Sequence, residues 1–94
     1  MREGPATTAE WARFARELAL NLQRHRHAAN LTQEQVAERA GISLYAYQTY
    51  ERGTAQGQPV NPRLATVLAV AEALDVSVEK LLPSPPRLTM IAGR

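Results

Sequence analysis

Hydrophobic residues near the start of the chain recur with the period of an amphipathic helix. One stripe, at intervals of three and four residues, consists of Trp11, Phe14, Ala15, Leu18 and Leu22. Thr7 and Glu10 lie at its start with the spacing of a capping box, in which each side chain hydrogen-bonds to a backbone amide. The pattern predicts a first helix over about residues 8–27 and a flexible lead at residues 1–6.

Two clearer patterns for the start of a helix follow in the middle of the chain. Thr32 and Gln35 have the spacing of a second capping box, and Gly41 stands where a helix end favours left-handed backbone. Ser43 then has the position of an N-cap, and Gly53 that of a terminating glycine. Two short helices joined by a turn of about three residues are the outline of a helix-turn-helix.

The next segment is predicted to be a loop followed by a fourth helix. Residues 54–61 are a loop by composition. Asn61 and Pro62 have the pattern of an N-cap followed by proline at the first helical position, where its missing amide costs nothing. The predicted apolar stripe of this helix consists of Leu64, Val67, Leu68, Ala71 and Leu74.

The last part of the chain adds one short helix and a tail. Ser77 is predicted to begin a fifth helix that Pro83 ends, and residues 83–94 are predicted to be a proline-rich spacer and tail. No strand alternation precedes the tail. The predicted fold is therefore all-α, with five helices in one domain over residues 7–82.

The composition favours a small binding domain over an enzyme. The chain has 94 residues, no cysteine and a net charge of only +2, which fits one domain with no thiolate chemistry. His25 and His27 have no third ligand, so we expect neither a metal nor a cofactor. No nucleophile–base pair or glycine-rich phosphate loop is present. No apolar run reaches the roughly 20 residues that span a bilayer, so a cytoplasmic protein without membrane contact is expected.

The third predicted helix has a face that the core does not require. Tyr47 and Tyr50 are predicted to face inward. The opposite stripe, which Leu44 borders, consists of Tyr45, Gln48, Thr49 and Arg52. A helix about 10–12 Å across fits the major groove of B-DNA, where such side chains reach base edges.

Three segments resemble the phage-repressor-like (XRE-type) helix-turn-helix family. They are LTQEQVAERAGIS at residues 31–43, YERG at residues 50–53, and AEALDVSVEKLL at residues 71–82. In this order and spacing they extend the resemblance over about residues 15–82. The resemblance implies a lambda-repressor-like domain that binds double-stranded DNA with its third helix in the major groove.

The resemblance also implies roles for individual residues. Thr32 and Gln33 match the positions that place the second helix with its N-terminus against a phosphate. Arg26 and Glu51 match a partly buried ion pair between the first and third helices. The matching recognition-helix positions are Ser43, Leu44, Tyr45, Gln48 and Thr49. The implied phosphate contacts flanking the groove are Arg52 and Arg63.

Two departures from the family pattern affect these roles. The loop between Gly53 and Leu64 is about five residues longer than the usual pattern, so contacts made from that loop do not transfer. Leu44 and Tyr45 stand where strong base readers would be Arg, Asn or Gln, and Gln48 is the only amide on the stripe. Specificity is therefore expected to be modest or to depend on DNA shape.

Three binding functions remain open from the sequence. The first is a dimeric transcriptional repressor without a ligand domain. The second is an antitoxin or restriction-controller protein that binds its own operator and also a protein partner, through a terminal segment. The third is a helix-turn-helix that has lost DNA binding and mediates protein contacts, which the retained Thr32, Gln33 and Arg52 disfavour.

A two-fold dimer is expected because one recognition helix covers too few base pairs to specify a unique site in a genome. Two surfaces are candidates for the dimer contact. One is the fifth helix with the tail, in which Leu88, Met90 and Ile91 are apolar beyond the proline spacer. The other is the flank of the first helix near Trp11. A disordered tail is the alternative to a dimer arm.

Overall fold

The computed structural model describes residues 9–83 and contains five helices and one small hairpin. The elements in chain order are α1 (Ala9–Ala28), α2 (Gln33–Ala40), α3 (Leu44–Arg52), β1 (Thr54–Ala55), β2 (Gln58–Pro59), α4 (Leu64–Ala73) and α5 (Val78–Leu81). The predicted five-helix architecture is confirmed. The hairpin is an addition to it.

The core lies where α1, α2, α3, α4 and α5 converge. Val36, Tyr47 and Leu81 are fully buried at its centre, and Leu18 and Leu22 bring the apolar face of α1 against them. These side chains come from four helices, so none of the short helices can bury its apolar face without the others. Packing rather than local propensity therefore fixes the position of α3.

The helix boundaries around the central turn follow from capping. The Thr32 hydroxyl accepts a hydrogen bond from the Gln35 amide at 3.0 Å, and the Gln35 side chain accepts one from the Thr32 amide at 2.9 Å. Gly41 ends α2 with φ +74°, and the Ser43 hydroxyl then caps α3. Gly53 ends α3 with φ +87°, and a Cβ added to it would lie 3.4 Å from the Ala15 carbonyl oxygen of α1. The predicted caps of α2 and α3 are confirmed; the box at Thr7 lies outside the described residues.

The segment predicted as a loop contains a two-stranded antiparallel hairpin. Its turn residues, Gln56 and Gly57, both have positive φ, at 54° and 81°, as two-residue hairpin turns require. The absence of strands predicted for this region is therefore wrong. Strands of two residues are too short to produce a visible alternation of hydrophobic and polar positions.

The hairpin is attached to α1 as well as to α3. The Trp11 indole donates a hydrogen bond from Nε1 to the Val60 carbonyl oxygen at 3.0 Å. The Val60 amide donates to the Gly53 carbonyl at 3.0 Å, and the Trp11 ring stacks on Phe14 at 5.0 Å between centroids. Trp11 therefore packs within the domain and connects α1 to the segment after the hairpin.

Two predictions for α4 are wrong. The helix begins at Leu64 with Arg63 at the N-cap, rather than at Pro62 with Asn61 as the cap. Leu64 and Leu68, which belong to the predicted apolar stripe, are 70% and 48% exposed, while Val70 and Ala73 lie off that stripe and are buried. Because α4 is apolar on nearly every side, its sequence periodicity does not determine which face packs inward.

The short helix α5 closes the bundle against α1. Ser77 is at its N-cap as predicted, although the side chain makes no capping hydrogen bond. The Leu81 carbonyl accepts a hydrogen bond from Asn21 Nδ2 at 2.8 Å. None of the helices within residues 9–83 is long and apolar enough to cross a membrane. The predicted tail lies almost entirely outside the described residues.

Candidate nucleic-acid interface

Glutamine side chains connect the start of α2 to the middle of α3. Gln48 donates from Nε2 to Oε1 of Gln33 at 3.3 Å, and Gln33 donates from Nε2 to a carboxylate oxygen of Glu51 at 3.0 Å. Each amide thus has a fixed orientation, because donor and acceptor ends are assigned by the neighbouring group. This chain of hydrogen bonds links the N-terminus of α2 to α3 and helps to fix the relative position of the two helices.

Glu51 joins α1, α2 and α3 through one buried carboxylate. Arg26 donates from Nε to Oε2 at 2.6 Å and from Nη2 to Oε1 at 3.2 Å. The two side chains are only 13% and 5% exposed, respectively. Arg26 also donates from Nη1 to the Leu31 carbonyl at 3.0 Å, which fixes the chain just before α2. The structure therefore places the predicted ion pair at the junction of all three helices.

The protonation states of this cluster follow from its surroundings. Burial alone favours the neutral acid at Glu51, but hydrogen bonds from Arg26 and Gln33 outweigh it and lower the pKa of the carboxyl. The hydrogen bonds to Glu51 raise the pKa of the Arg26 guanidinium. Burial raises the pKa of the Tyr47 phenol, and the nearby carboxylate raises it further. A charged Glu51–Arg26 pair beside a neutral Tyr47 is the result.

Gln23 is a member of the site that the sequence does not reveal. Its Nε2 donates to the backbone carbonyl of Glu51 at 2.6 Å. A side chain on the polar flank of α1 carries no pattern that points to a carbonyl 28 residues away. Gln23 therefore holds the C-terminal half of α3 against α1 alongside the ion pair.

The outward side of α2 and α3 presents most of the predicted contact residues. Thr32, Ser43, Tyr45 and Arg52 are exposed, while Gln33, Leu44 and Gln48 are half-buried. Two shallow depressions meet at Gln33 and Gln48, one extending towards Arg52 and the other towards Thr32 and Leu44. An open polar surface of this form suits a broad ligand such as a nucleic-acid groove rather than an enclosed small molecule.

Thr49 does not belong to this surface. It is only 4% exposed, and its hydroxyl donates to the Ala46 carbonyl at 2.7 Å. The interpretation of Thr49 as an exposed stripe residue is therefore wrong. The prediction considered α3 alone and left out the elements that cover its C-terminal half. The Thr49 hydroxyl needs no partner outside α3, because it bonds to a backbone carbonyl of its own helix.

Arg63 is exposed at the N-cap of α4. Within the described part of the chain, no hydrogen bond connects it to Gln33, Gln48 or Arg52. Across residues 9–83, no three His, Cys, Asp or Glu side chains gather as a metal site requires.

Comparison with known families places this architecture in a class. The family model described as "Helix-turn-helix domain" matches residues 17–82. The chain belongs to this helix-turn-helix family, and its relatives are of the phage-repressor-like type.

Two curated relatives show the range of proteins that share this domain. Over 60 residues, the chain is 38% identical to the cryptic phage CTXphi transcriptional repressor RstR of Vibrio cholerae; the match covers 64% of this chain and 49% of the repressor. Over 65 residues, it is 40% identical to the control protein C.SmaI of Serratia marcescens; the match covers 69% of this chain and 71% of the control protein. The chain thus spans about half the length of the Vibrio relative.

A solved structure has the same fold. The restriction-modification controller protein C.AhdI of Aeromonas hydrophila superposes with a TM-score of 0.65 at 28% identity. The match covers 72% of this chain and 96% of the controller protein.

Proposed function

We propose that this protein is a sequence-specific DNA-binding transcriptional regulator, a repressor that acts as a homodimer and reads the major groove with α3. The observation that carries the proposal is the Gln48–Gln33–Glu51 chain of hydrogen bonds, which orients an amide on the outer side of the helix-turn-helix. A domain core has no need of such an arrangement at its surface. The proposed activity is binding, without a catalytic step or cofactor.

Base reading is assigned first to Gln48. A glutamine amide recognises adenine by accepting a hydrogen bond from N6 and donating one to N7. The Gln48 amide has two N–H donors, and the bond to Gln33 uses one of them. The second N–H and the carbonyl oxygen therefore stay available for adenine, while Gln33 limits the rotation of the amide.

Apolar and hydroxyl groups beside Gln48 complete the reading surface. The exposed ring of Tyr45 and the half-buried Leu44 suit contact with thymine methyl groups, and the Ser43 hydroxyl suits either base type. Since none of these groups makes a bidentate contact, most of the sequence preference is assigned to Gln48. Thr49 is removed from this set because it is buried.

Phosphate binding is assigned to the start of α2 and to arginine side chains. The Thr32 hydroxyl satisfies only the Gln35 amide, so the amides between them remain available to a phosphate at the positive end of the helix dipole. Arg52 is exposed at the end of α3, and we assign it to a second phosphate. Arg63, exposed at the start of α4, is proposed as a further phosphate contact.

The decisive experiment is selection of preferred sites from randomised double-stranded DNA, followed by titrations of the variants on the selected site. Gln48→Ala should weaken binding to the selected site and flatten its sequence preference. Arg52→Ala should weaken binding to all sequences and reduce the slope of log K against log salt by about 1. Arg24→Ala, which removes an exposed arginine of α1, is the matched control. Selection that enriches no sequence would refute the proposal.

A second candidate, a restriction-controller protein, is supported by the likeness to C.SmaI and C.AhdI. A controller binds the DNA in front of its own gene, so the two candidates share the interface and differ in the target. Mapping of bound sites across the genome separates them, since a controller occupies a site beside restriction and modification genes. The predicted protein partner of the tail remains a prediction, because residues 84–94 lie outside the described part of the chain.

A further inference from the structure

The hydroxyl of Tyr47 is a buried polar group without a hydrogen bond. Tyr47 is 0% exposed in the core, and among the buried side-chain nitrogen and oxygen atoms of residues 9–83 only its hydroxyl has no partner. Such a hydroxyl has lost its hydrogen bonds to water without a replacement, which destabilises the fold. Phenylalanine would fill the same space without that cost, so stability alone does not account for a tyrosine at this position.

Glu51 is an acceptor in the surroundings of this hydroxyl. It follows Tyr47 by four residues in α3, which puts the two side chains on one side of the helix. Burial raises the pKa of the Tyr47 phenol, and the carboxylate of Glu51 raises it further. The hydroxyl therefore keeps its proton and remains an unused donor near a buried carboxylate.

The carboxylate of Glu51 has room for one more donor. Arg26 donates to Oε2 at 2.6 Å and to Oε1 at 3.2 Å, and Gln33 donates to Oε1 at 3.0 Å. A carboxylate offers about four acceptor positions, and these bonds use three of them. A buried carboxylate that lost the bond from Gln33 would need another donor to remain charged at low cost.

Gln33 is the partner of Glu51 that DNA can draw away. Arg26 is only 13% exposed and is also bonded to the Leu31 carbonyl, whereas Gln33 is half-buried at the first position of α2. The free amides at this helix end are the ones assigned to a phosphate. A phosphate there attracts the Gln33 amide and also disfavours the negative charge of Glu51, because like charges repel.

We propose that Tyr47 is a positioning residue for DNA binding, whose hydroxyl donates to Glu51 in the DNA-bound state as the Gln33 amide turns from Glu51 to a phosphate. The inference rests on the proposed function, because it concerns the bound state of the same surface. In that state Arg26 and Tyr47 together hold the carboxylate, and so keep α3 against α1. Gln33 retains the bond from Gln48 through its Oε1, while its N–H groups bind the DNA.

Tyr47→Phe tests the role of the hydroxyl, because stability and DNA affinity should not fall together. The midpoint of urea denaturation should stay the same or rise, since the variant no longer buries an unbonded hydroxyl. The affinity for the selected DNA site should fall about tenfold, since the bound state loses a hydrogen bond to a charged group. Tyr50→Phe, which changes a half-buried tyrosine of the same helix, is the matched control and should alter neither quantity.

Gln33→Ala tests whether the hydroxyl takes the place of Gln33. In a chain without the Gln33 amide, the Tyr47 hydroxyl can bond to Glu51 before DNA is present. Adding Tyr47→Phe to Gln33→Ala should therefore lower the urea midpoint and should no longer lower the DNA affinity. The stability effect of Tyr47→Phe thus depends on Gln33, which a tyrosine that only fills the core would not produce. Glu38→Ala, on the same helix as Gln33, is the control background and should leave the effects of Tyr47→Phe unchanged.

Three results would overturn the inference. They are a Tyr47→Phe variant that loses stability and affinity together, a Tyr47→Phe variant that binds the selected site like the wild type, and a loss of affinity that is as large in the Gln33→Ala background as in the wild type. In each case, a DNA sequence enriched by the wild-type chain still leaves the proposed function standing. Selection that enriches no sequence refutes the proposed function, and this inference with it. Circular dichroism melts check that each variant is folded.

Discussion

Gln33 and Gln48 form a single hydrogen-bonded unit across the helix-turn-helix, with Nε2 of Gln48 donating to Oε1 of Gln33 at 3.3 Å. Gln33 is in turn held by the buried carboxylate of Glu51. The orientation of the outermost amide thus depends on an ion pair in the interior. The proposed base reading by Gln48 and the stability of the domain are therefore linked through Gln33, and substitutions on either side of Gln33 test each of them.

The first prediction is that Gln33 and Gln48 are energetically coupled in DNA binding. Either single substitution by Ala should cost about 1–3 kcal/mol on the selected site. Gln33→Ala removes the group that orients Gln48, so the double variant should lose less than the sum of the two single losses. Anisotropy titrations of the four proteins measure this, with Glu38→Ala as the control on the same helix. Strict additivity would show that the two amides act separately.

The second prediction concerns the free energy of unfolding. Arg26→Met or Glu51→Gln should each destabilise the domain by about 3 kcal/mol, because the remaining buried group loses its partner but not its desolvation cost. The double variant should be more stable than the sum of the two effects implies. Urea denaturation of the four proteins measures the coupling. The exposed pair Arg13–Glu17 provides a control cycle in which little coupling is expected; equal coupling in both cycles would contradict the prediction.

The third prediction is an acid-dependent loss of stability that depends on Glu51. Its pKa is lower in the folded state than the value of about 4.3 for an unperturbed glutamate. The resulting stabilisation is fully present above that value and disappears as the pH falls through the folded-state pKa. Unfolding free energies from about pH 6 downwards should fall more steeply below about pH 4 for the wild type than for Glu51→Gln. Parallel curves would exclude Glu51 as the source.

The fourth prediction concerns the attachment of the hairpin. Trp11→Phe removes the hydrogen bond to the Val60 carbonyl and should destabilise the domain by about 1 kcal/mol. It should also speed amide hydrogen exchange at Val60, whose N–H bonds to Gly53. Tyr45→Phe, on the exposed side of α3, is the control and should alter neither quantity. An unchanged exchange rate in Trp11→Phe would mean that the hairpin is held by other contacts.

The parts of the fold that follow from short-range chemistry were predictable from the sequence. The capping pattern at Thr32 and the glycines at positions 41 and 53 determine the ends of α2 and α3, because each acts within one helical turn. The Arg26–Glu51 contact is different in kind. Its residues lie 25 positions apart, and only the family resemblance pointed to them.

The features that depend on tertiary contacts were not predictable in the same way. The face of α4 that packs inward is determined by its neighbours, since its sequence is apolar on nearly every side. Thr49 is buried by elements that a projection of α3 leaves out. The two-residue strands of the hairpin show no periodicity, and Gln56–Gly57 is not among the dipeptides typical of two-residue hairpin turns.

The buried position of Glu51 has a consequence for how this domain can acquire new targets. The carboxylate fixes α3 from the inner side, through partners on α1 and α2. Leu44, Tyr45 and Arg52 take no part in that network, so they can be exchanged without disturbing the scaffold. An exchange of Gln48 also removes a hydrogen-bond partner of Gln33, so these two positions are best varied together. Under the proposed function, new operator preferences are therefore open through substitutions at Leu44 and Tyr45 and at the Gln33–Gln48 pair, a set of positions small enough for a library of variants to cover completely.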